Sequence, residues 1–207
     1  MDYSHPVEAL IPGVQGRVLS ILARTETELT IRGVAQLAGV SPQQASLVLA
    51  RLVELGVVER RDAPPVALVR LVRDNLAAQA LVTVAGLRQA AIEELRSLAI
   101  EITPVPASLI VFGSFARGDT DAHSDVDVLA VRPPAVTGDD LDSWTDSLGR
   151  WADRTSRALG NPVNLVEASV DEVPVLLNQK APSMWTDIVA EGIVIVGSSL
   201  ADLASAA

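Results

Sequence analysis

Four residues in the second half of this 207-residue chain have the types and spacing to do chemistry together: Gly113 and Ser114, then Asp125 and Asp127. Leu109-Ile110-Val111-Phe112 is a continuous apolar run suited to a buried strand, and it delivers the chain straight into Gly113-Ser114. Glycine leaves room where a phosphate must approach, and Ser114 adds a hydroxyl. A helix begun at Phe115 to Arg117 would turn its free amides toward the same anion. Past Gly118 and a polar loop from Asp119 to Ser124, the segment Asp125-Val126-Asp127-Val128-Leu129-Ala130-Val131 reads as a strand. Side chains on a strand alternate faces, so Asp125 and Asp127 project together with Cα atoms roughly 6.6 Å apart while Val126, Val128 and Ala130 pack beneath. Two carboxylates in so small a volume call for a cation between them. Oxygen ligands suit Mg²⁺, with Mn²⁺ as its substitute, and such an ion can hold a nucleoside triphosphate at the same time.

The run GSFARGDTDAHSDVDV resembles the signature of the polymerase-beta-like nucleotidyltransferase superfamily in its minimal form. The resemblance extends over about residues 105–197, including the segment EGIVIVG. It implies that Gly113 and Ser114, with Ser124 at the end of the loop, hold nucleotide phosphates, that Asp125 and Asp127 bind the metal, and that Arg117 braces the site. The superfamily also places a third carboxylate on a later strand to activate the attacking hydroxyl. Here the matching segment is Pro162-Val163-Asn164-Leu165-Val166, so Asn164 stands in that catalytic position. An amide accepts a hydrogen bond but is no base. Glu167, three residues on, belongs to the opposite face of a regular strand.

The elements ahead of this site form a second pattern. Val14, Val18, Ile21 and Leu22 share one face of a first helix. Thr30 can cap a second, Ile31 to Ala38, ended at Gly39. Ser41-Pro42 starts a third, which buries Ala45, Val48, Leu49 and Leu52, points Gln43, Gln44 and Ser46 outward, and stops at Gly56. Val57 to Arg61, a turn at Asp62 to Pro65, and Val66 to Val72 read as a hairpin. The stretch TIRGVAQLAGVSPQQASLVLARLVELGVVERR is similar to the winged helix-turn-helix module of MarR- or ArsR-type regulators. That resemblance puts Ser41, Gln43, Gln44 and Ser46 in the major groove of duplex DNA and Arg60 and Arg61 on its phosphates. From Asn75 to Ile100, apolar residues at steps of three and four predict one long amphipathic helix, a connector or a homodimer element.

The expected architecture is therefore α+β (α/β). Residues 1–73 form the winged helix-turn-helix, 74–100 the long connecting helix, and 101–207 a nucleotidyltransferase fold with a mixed sheet flanked by helices. Charge divides the same way. Residues 1–75 hold eight Arg and eight Asp or Glu, so the net charge of −10 lies wholly in the remainder. The neutral first part can still turn Arg51, Arg60, Arg61, Arg70 and Arg73 toward DNA. Aromatic content of 3% argues against a stacking platform for single strands, and the lack of Cys excludes disulfides, thiolate metal sites and a Cys nucleophile. With no signal pattern and no long uncharged apolar run, the expectation is a cytoplasmic protein without membrane partners. His123 reads as a solvated loop residue, His5 as part of a mobile terminus, and Trp144, Trp151 and Trp185 as packing residues. Asp139, Asp140, Asp142 and Asp146 read as an acidic helix start. Two functions compete. One is a Mg²⁺-dependent enzyme moving a nucleoside monophosphate from a nucleoside triphosphate to a hydroxyl on protein, RNA or a small molecule. The alternative is a DNA-binding transcriptional regulator whose degenerate transferase domain senses a nucleotide or binds a partner.

Overall fold

The computed structural model describes residues 1–178 and 184–206, and the chain divides into two compact units. His5–Arg88 make the first; Met1–Ser4 and Gln89–Ala207 make the second. No helix among the described residues is long and apolar enough to cross a membrane.

The first unit runs α1 (Pro6–Leu10), α2 (Val14–Arg24), β1 (Leu29–Thr30), α3 (Ile31–Leu37), α4 (Pro42–Glu54), β2 (Val58–Ala63), β3 (Val66–Leu71) and α5 (Leu76–Ala85). Its helix starts follow the side chains available for capping. Thr30 Oγ1 accepts from the Gly33 amide at 2.9 Å to open α3. Ser41 and Gln44 exchange a reciprocal pair that opens α4: Ser41 Oγ accepts from the Gln44 amide (3.2 Å) and Gln44 Oε1 from the Ser41 amide (3.1 Å). The buried faces interlock as Val18, Leu22, Val34, Ala45, Leu49, Leu52, Val58 and Val69. β2 and β3 pair antiparallel from Val58↔Leu71 to Ala63↔Val66, and β1 adds a third strand beside β3.

Two expectations need correction here. The single long helix over 75–100 is two, α5 and α6 (Leu87–Ala99), separated at Gly86, the residue of lowest helix propensity in that stretch. The Gly86 amide closes α5 on the Val82 and Thr83 carbonyls at 3.1 Å. α5 is thus no free connector: Ala78 is buried, and Leu81, Val82 and Val84 pack on the first unit's core. The N-terminal residues are not loose either, since Tyr3 is buried within the second unit. Neither α1 nor β1 was visible as a pattern, each being five residues or fewer.

The second unit continues with β4 (Ser108–Phe112), α7 (Gly113–Arg117), β5 (Val126–Arg132), α8 (Asp140–Leu159), β6 (Val163–Ser169), a 3₁₀ turn (Val170–Glu172), α9 (Val173–Leu177), α10 (Met184–Glu191), β7 (Ile193–Gly197) and α11 (Leu200–Ala206). Four strands form a mixed sheet in the order β6-β5-β4-β7; β5 and β6 are parallel and the other pairs antiparallel. Ile110, Phe112, Leu129 and Val131 pack with Val173, Ile188 and Leu200 from α9, α10 and α11. Val126, Val128 and Ala130 are buried. Trp144 and Trp151 of α8 are buried as packing residues, and Trp185 packs on the sheet core.

Candidate active site

Strand register brings Asp127 and Asn164 together at the end of β4. Asp127 stands opposite Phe112 across the β4–β5 ladder and beside Asn164 across the parallel β5–β6 ladder. The chain leaves β4 at Gly113, with φ of +69°, a conformation that disfavours any residue with a side chain. The space confirms the need. A Cβ on Gly113 would lie 2.6 Å from Asp127 Oδ2, so glycine is what lets that carboxylate reach the strand end.

On its other side Asp127 Oδ1 accepts from Asn164 Nδ2 at 3.0 Å. The amide therefore sits within the carboxylate site, at the position expected of a third acid. Asp127 is half-buried, and Asp125, one residue ahead of β5, is exposed. Among the described residues neither aspartate has a lysine or arginine partner, and no three His, Cys, Asp or Glu side chains gather as a metal cluster. Two carboxylates facing solvent fit one Mg²⁺, which is ordinarily held by one or two carboxylates, waters and substrate phosphates.

The remaining candidates are placed differently. Ser114 is half-buried in the first turn of α7, and its carbonyl accepts from the Gly118 and Asp119 amides (2.9 and 3.0 Å). Arg117 donates from Nε to Asp119 (3.1 Å), lies 3.6 Å from Glu191, and is held protonated by the Asp119 carboxylate first of all. It braces the loop and α10 rather than the aspartate pair. Ser124 Oγ accepts from the Asp121 amide (2.8 Å) and donates to Asp121 Oδ1 (3.0 Å), so it shapes the loop. The His123 and Ser124 contacts hold the Asp121 carboxyl below its ordinary pKa, with the His123 amide the main cause. His123 itself is exposed. Glu167 accepts from Trp144 Nε1 at 3.1 Å and so belongs to the α8 face of the sheet, away from Asn164. Asp140 and Asp142 fall in the first turn of α8, as expected of an acidic helix start.

Comparison with known proteins matches the description "MarR family" at residues 11–67 and "Nucleotidyltransferase domain" at residues 91–178. The chain joins a MarR-family domain to a nucleotidyltransferase domain. No curated protein matches it. Among solved structures it is similar to a toxin–antitoxin crystal structure with AMP-PNP, at 21% identity and a TM-score of 0.37, over 56% of this chain and 82% of that one. A mutant of the toxin–antitoxin MntA-HpeT matches at 19% identity and TM-score 0.37 over the same shares, 56% and 82%. TrmBL2, an archaeal chromatin protein, matches at 18% identity and TM-score 0.31 over 92% of this chain and 78% of that one.

In the MarR-family domain the outward Gln43, Gln44 and Ser46 are exposed and Ala45, Leu49 and Leu52 are buried, although Val48 is only half-buried. Gln44 is occupied in the helix cap. Arg60 and Arg61 lie on β2, in the wing, but both are engaged: Arg60 Nε donates to Asp62 (3.1 Å) and Arg61 Nε to Glu28 (3.0 Å). The neighbouring Arg70 pairs with Glu59.

Sequence reasoning missed Asn161, whose Nδ2 donates to the Ser124 carbonyl at 2.8 Å, directly before Asp125. Gly160-Asn161-Pro162 signals a turn, but nothing local names the partner.

Proposed function

We propose that this protein is a cytoplasmic, Mg²⁺-dependent nucleotidyltransferase that moves a nucleoside monophosphate from a nucleoside triphosphate to a hydroxyl on a protein or RNA acceptor, and that its MarR-family domain binds duplex DNA as a homodimer. The observation that carries the reading is the convergence of Gly113, Asp127 and Asn164 at one strand register with Asp125 one residue before it.

Bound there, Mg²⁺ would offset triphosphate charge and favour pyrophosphate departure. Asp125 and Asp127 would be its ligands. Gly113 leaves room for the Asp127 carboxylate at the strand end, and the Ser114 side chain stands next in line. Asn164 holds Asp127 Oδ1 in place through its amide. As the acceptor oxygen bonds to the α-phosphorus and the bond to pyrophosphate breaks, the hydroxyl proton passes to water, because Asn164 cannot take it. In the other domain, Gln43 and Ser46 are free to meet base edges, and Arg60 and Arg61 can exchange their carboxylates for phosphate. Dimerisation follows from the short half-site that one recognition helix reads.

Incubation with each α-labelled nucleoside triphosphate and Mg²⁺ in cell extract should label an acceptor. Asp125→Ala and Asp127→Ala should each reduce that labelling by at least a hundredfold, on the order expected for loss of a transition-state charge stabiliser. Labelling that persists in both variants sinks the proposal.

A further inference from the structure

Residues 118–124 carry the chain from α7 to Asp125 without regular structure. Part of this loop supports itself: the His123 amide donates to Asp121 Oδ1 at 2.8 Å, and Asp121 and Ser124 close a turn. Its two ends are held from elsewhere. At the start, Ser4 Oγ donates to the Gly118 carbonyl (2.7 Å) and lies 3.1 Å from Thr120 Oγ1, in a residue that is 5% exposed. At the finish, Asn161, 3% exposed, donates from Nδ2 to both the Ser124 carbonyl (2.8 Å) and the Met1 carbonyl (3.2 Å), while its Oδ1 accepts from the Met1 nitrogen (2.7 Å). Tyr3 seats the same N-terminal segment. Its ring meets Phe115 of α7 edge-on at 5.3 Å, and its hydroxyl donates to the Leu159 carbonyl at 2.8 Å.

Asp125 lies one residue outside the β5 ladder, which starts with the Val126 amide donating to the Pro162 carbonyl at 2.8 Å. Apart from the turn that Ser124 makes with Asp121, the main chain just before Asp125 is thus held by the Asn161–Ser124 bond. We infer that Asn161 and Ser4 are positioning residues for Asp125: they hold the two ends of the Gly118–Ser124 loop so that the Asp125 carboxylate is presented beside Asp127. This role rests on the nucleotide-transfer reading above. A buried amide that has spent both N–H groups and its oxygen is costly to disturb, because its former partners are left unsatisfied.

The test uses the full chain, with Asn161→Asp and Ser4→Ala. Asn161→Asp keeps the size of the side chain but removes the donor to Ser124 and brings a negative charge near Asp125. Hydrogen exchange is followed by mass spectrometry, and affinity for Mg²⁺ with ATP, GTP, CTP or UTP by calorimetry. Expected for Asn161→Asp are faster exchange confined to residues 119–126, unchanged exchange in β4 and β5 beyond Val128, and nucleotide binding weakened about tenfold or more. Ser4→Ala should move both readouts in the same direction by a smaller factor, and it decides the matter if Asn161→Asp does not fold. Unchanged loop exchange, or faster exchange with unaltered affinity, overturns the positioning role while leaving the transfer reading intact. A wild type that binds none of the four nucleotides overturns the transfer reading, and the positioning role with it.

Discussion

The aspartate site and the wing hairpin each gather side chains of like charge at a sheet, but the protein treats them in opposite ways. In the hairpin, Arg60, Arg61 and Arg70 are each matched by a carboxylate, from Asp62, Glu28 and Glu59. At the aspartate site no cationic side chain among the described residues approaches Asp125 or Asp127, and the polar neighbour that touches Asp127 is a neutral amide. Exposed ion pairs contribute little to stability, so the hairpin pairs mainly set where each guanidinium rests. Two carboxylates left uncompensated are different. Repulsion between such carboxylates is relieved by an ion from outside, and on the proposed reading this pair is the ligand site for one. The remainder of the chain carries the whole net charge of −10, which deepens the negative field around that site.

The largest expected effect adds a carboxylate to the uncompensated site. Asn164→Asp would remove the amide donor from Asp127 Oδ1 and supply both a base and a third oxygen ligand. Any labelling of acceptor should rise by about a hundredfold, the low end of what a positioned general base contributes. The same change should destabilise the protein without Mg²⁺, because three carboxylates would then share one strand end. Thermal unfolding with and without Mg²⁺ checks the second half. Slower labelling in Asn164→Asp would mean that the proton leaves through some other group.

An intermediate effect is expected in the hairpin. Replacing Arg60 and Arg61 together with Ala should weaken binding to every duplex, by about tenfold at moderate salt, and reduce the slope of log affinity against log salt by about two. Stability should scarcely change, because only exposed pairs are lost. Mobility shifts over a salt series read the slope. If the slope is unaltered, these arginines stay with their carboxylates when DNA is bound, and the contrast between the two regions is sharper than proposed.

What could be read from the sequence divides along a physical line. The strand end at Gly113 and the place of Asp127 on β5 were legible because strand alternation is local, whereas Asn164 was singled out through the family resemblance and is set beside Asp127 by register. The cap at Ser41 was legible too, yet Gln44 was assigned to base edges although its spacing from Ser41 already satisfies a capping box. The break at Gly86 was overridden by an apolar period that runs on across it, since two short helices can share one stripe. Pairings at a distance left no trace. Arg61 and Glu28 are 33 residues apart, and Asn161 and Met1 are 160 apart, so no window of sequence contains both partners.

The smallest effect concerns the Glu28–Arg61 pair and its dependence on pH. The hydrogen bond from Arg61 holds the Glu28 carboxyl below its ordinary pKa of 4.5. A carboxyl whose pKa is depressed on folding contributes stability above the unfolded value, and that contribution is lost as pH falls through the folded value. The pair should therefore be fully formed at neutral pH, persist down to the ordinary carboxylate range, and disappear only below it. In Glu28→Gln the contribution is absent at every pH. The midpoint of thermal unfolding should then be lower in Glu28→Gln than in wild type at pH 7 by no more than about 2 °C, as befits an exposed pair. That gap should close as the solution is acidified below the ordinary Glu range. Raising ionic strength at pH 7 should close it as well, because the pair is open to screening. A gap that survives both treatments would show that Glu28 supports β1 by something other than its charge, and the hairpin arginine would then be a structural residue instead of one held in reserve for phosphate.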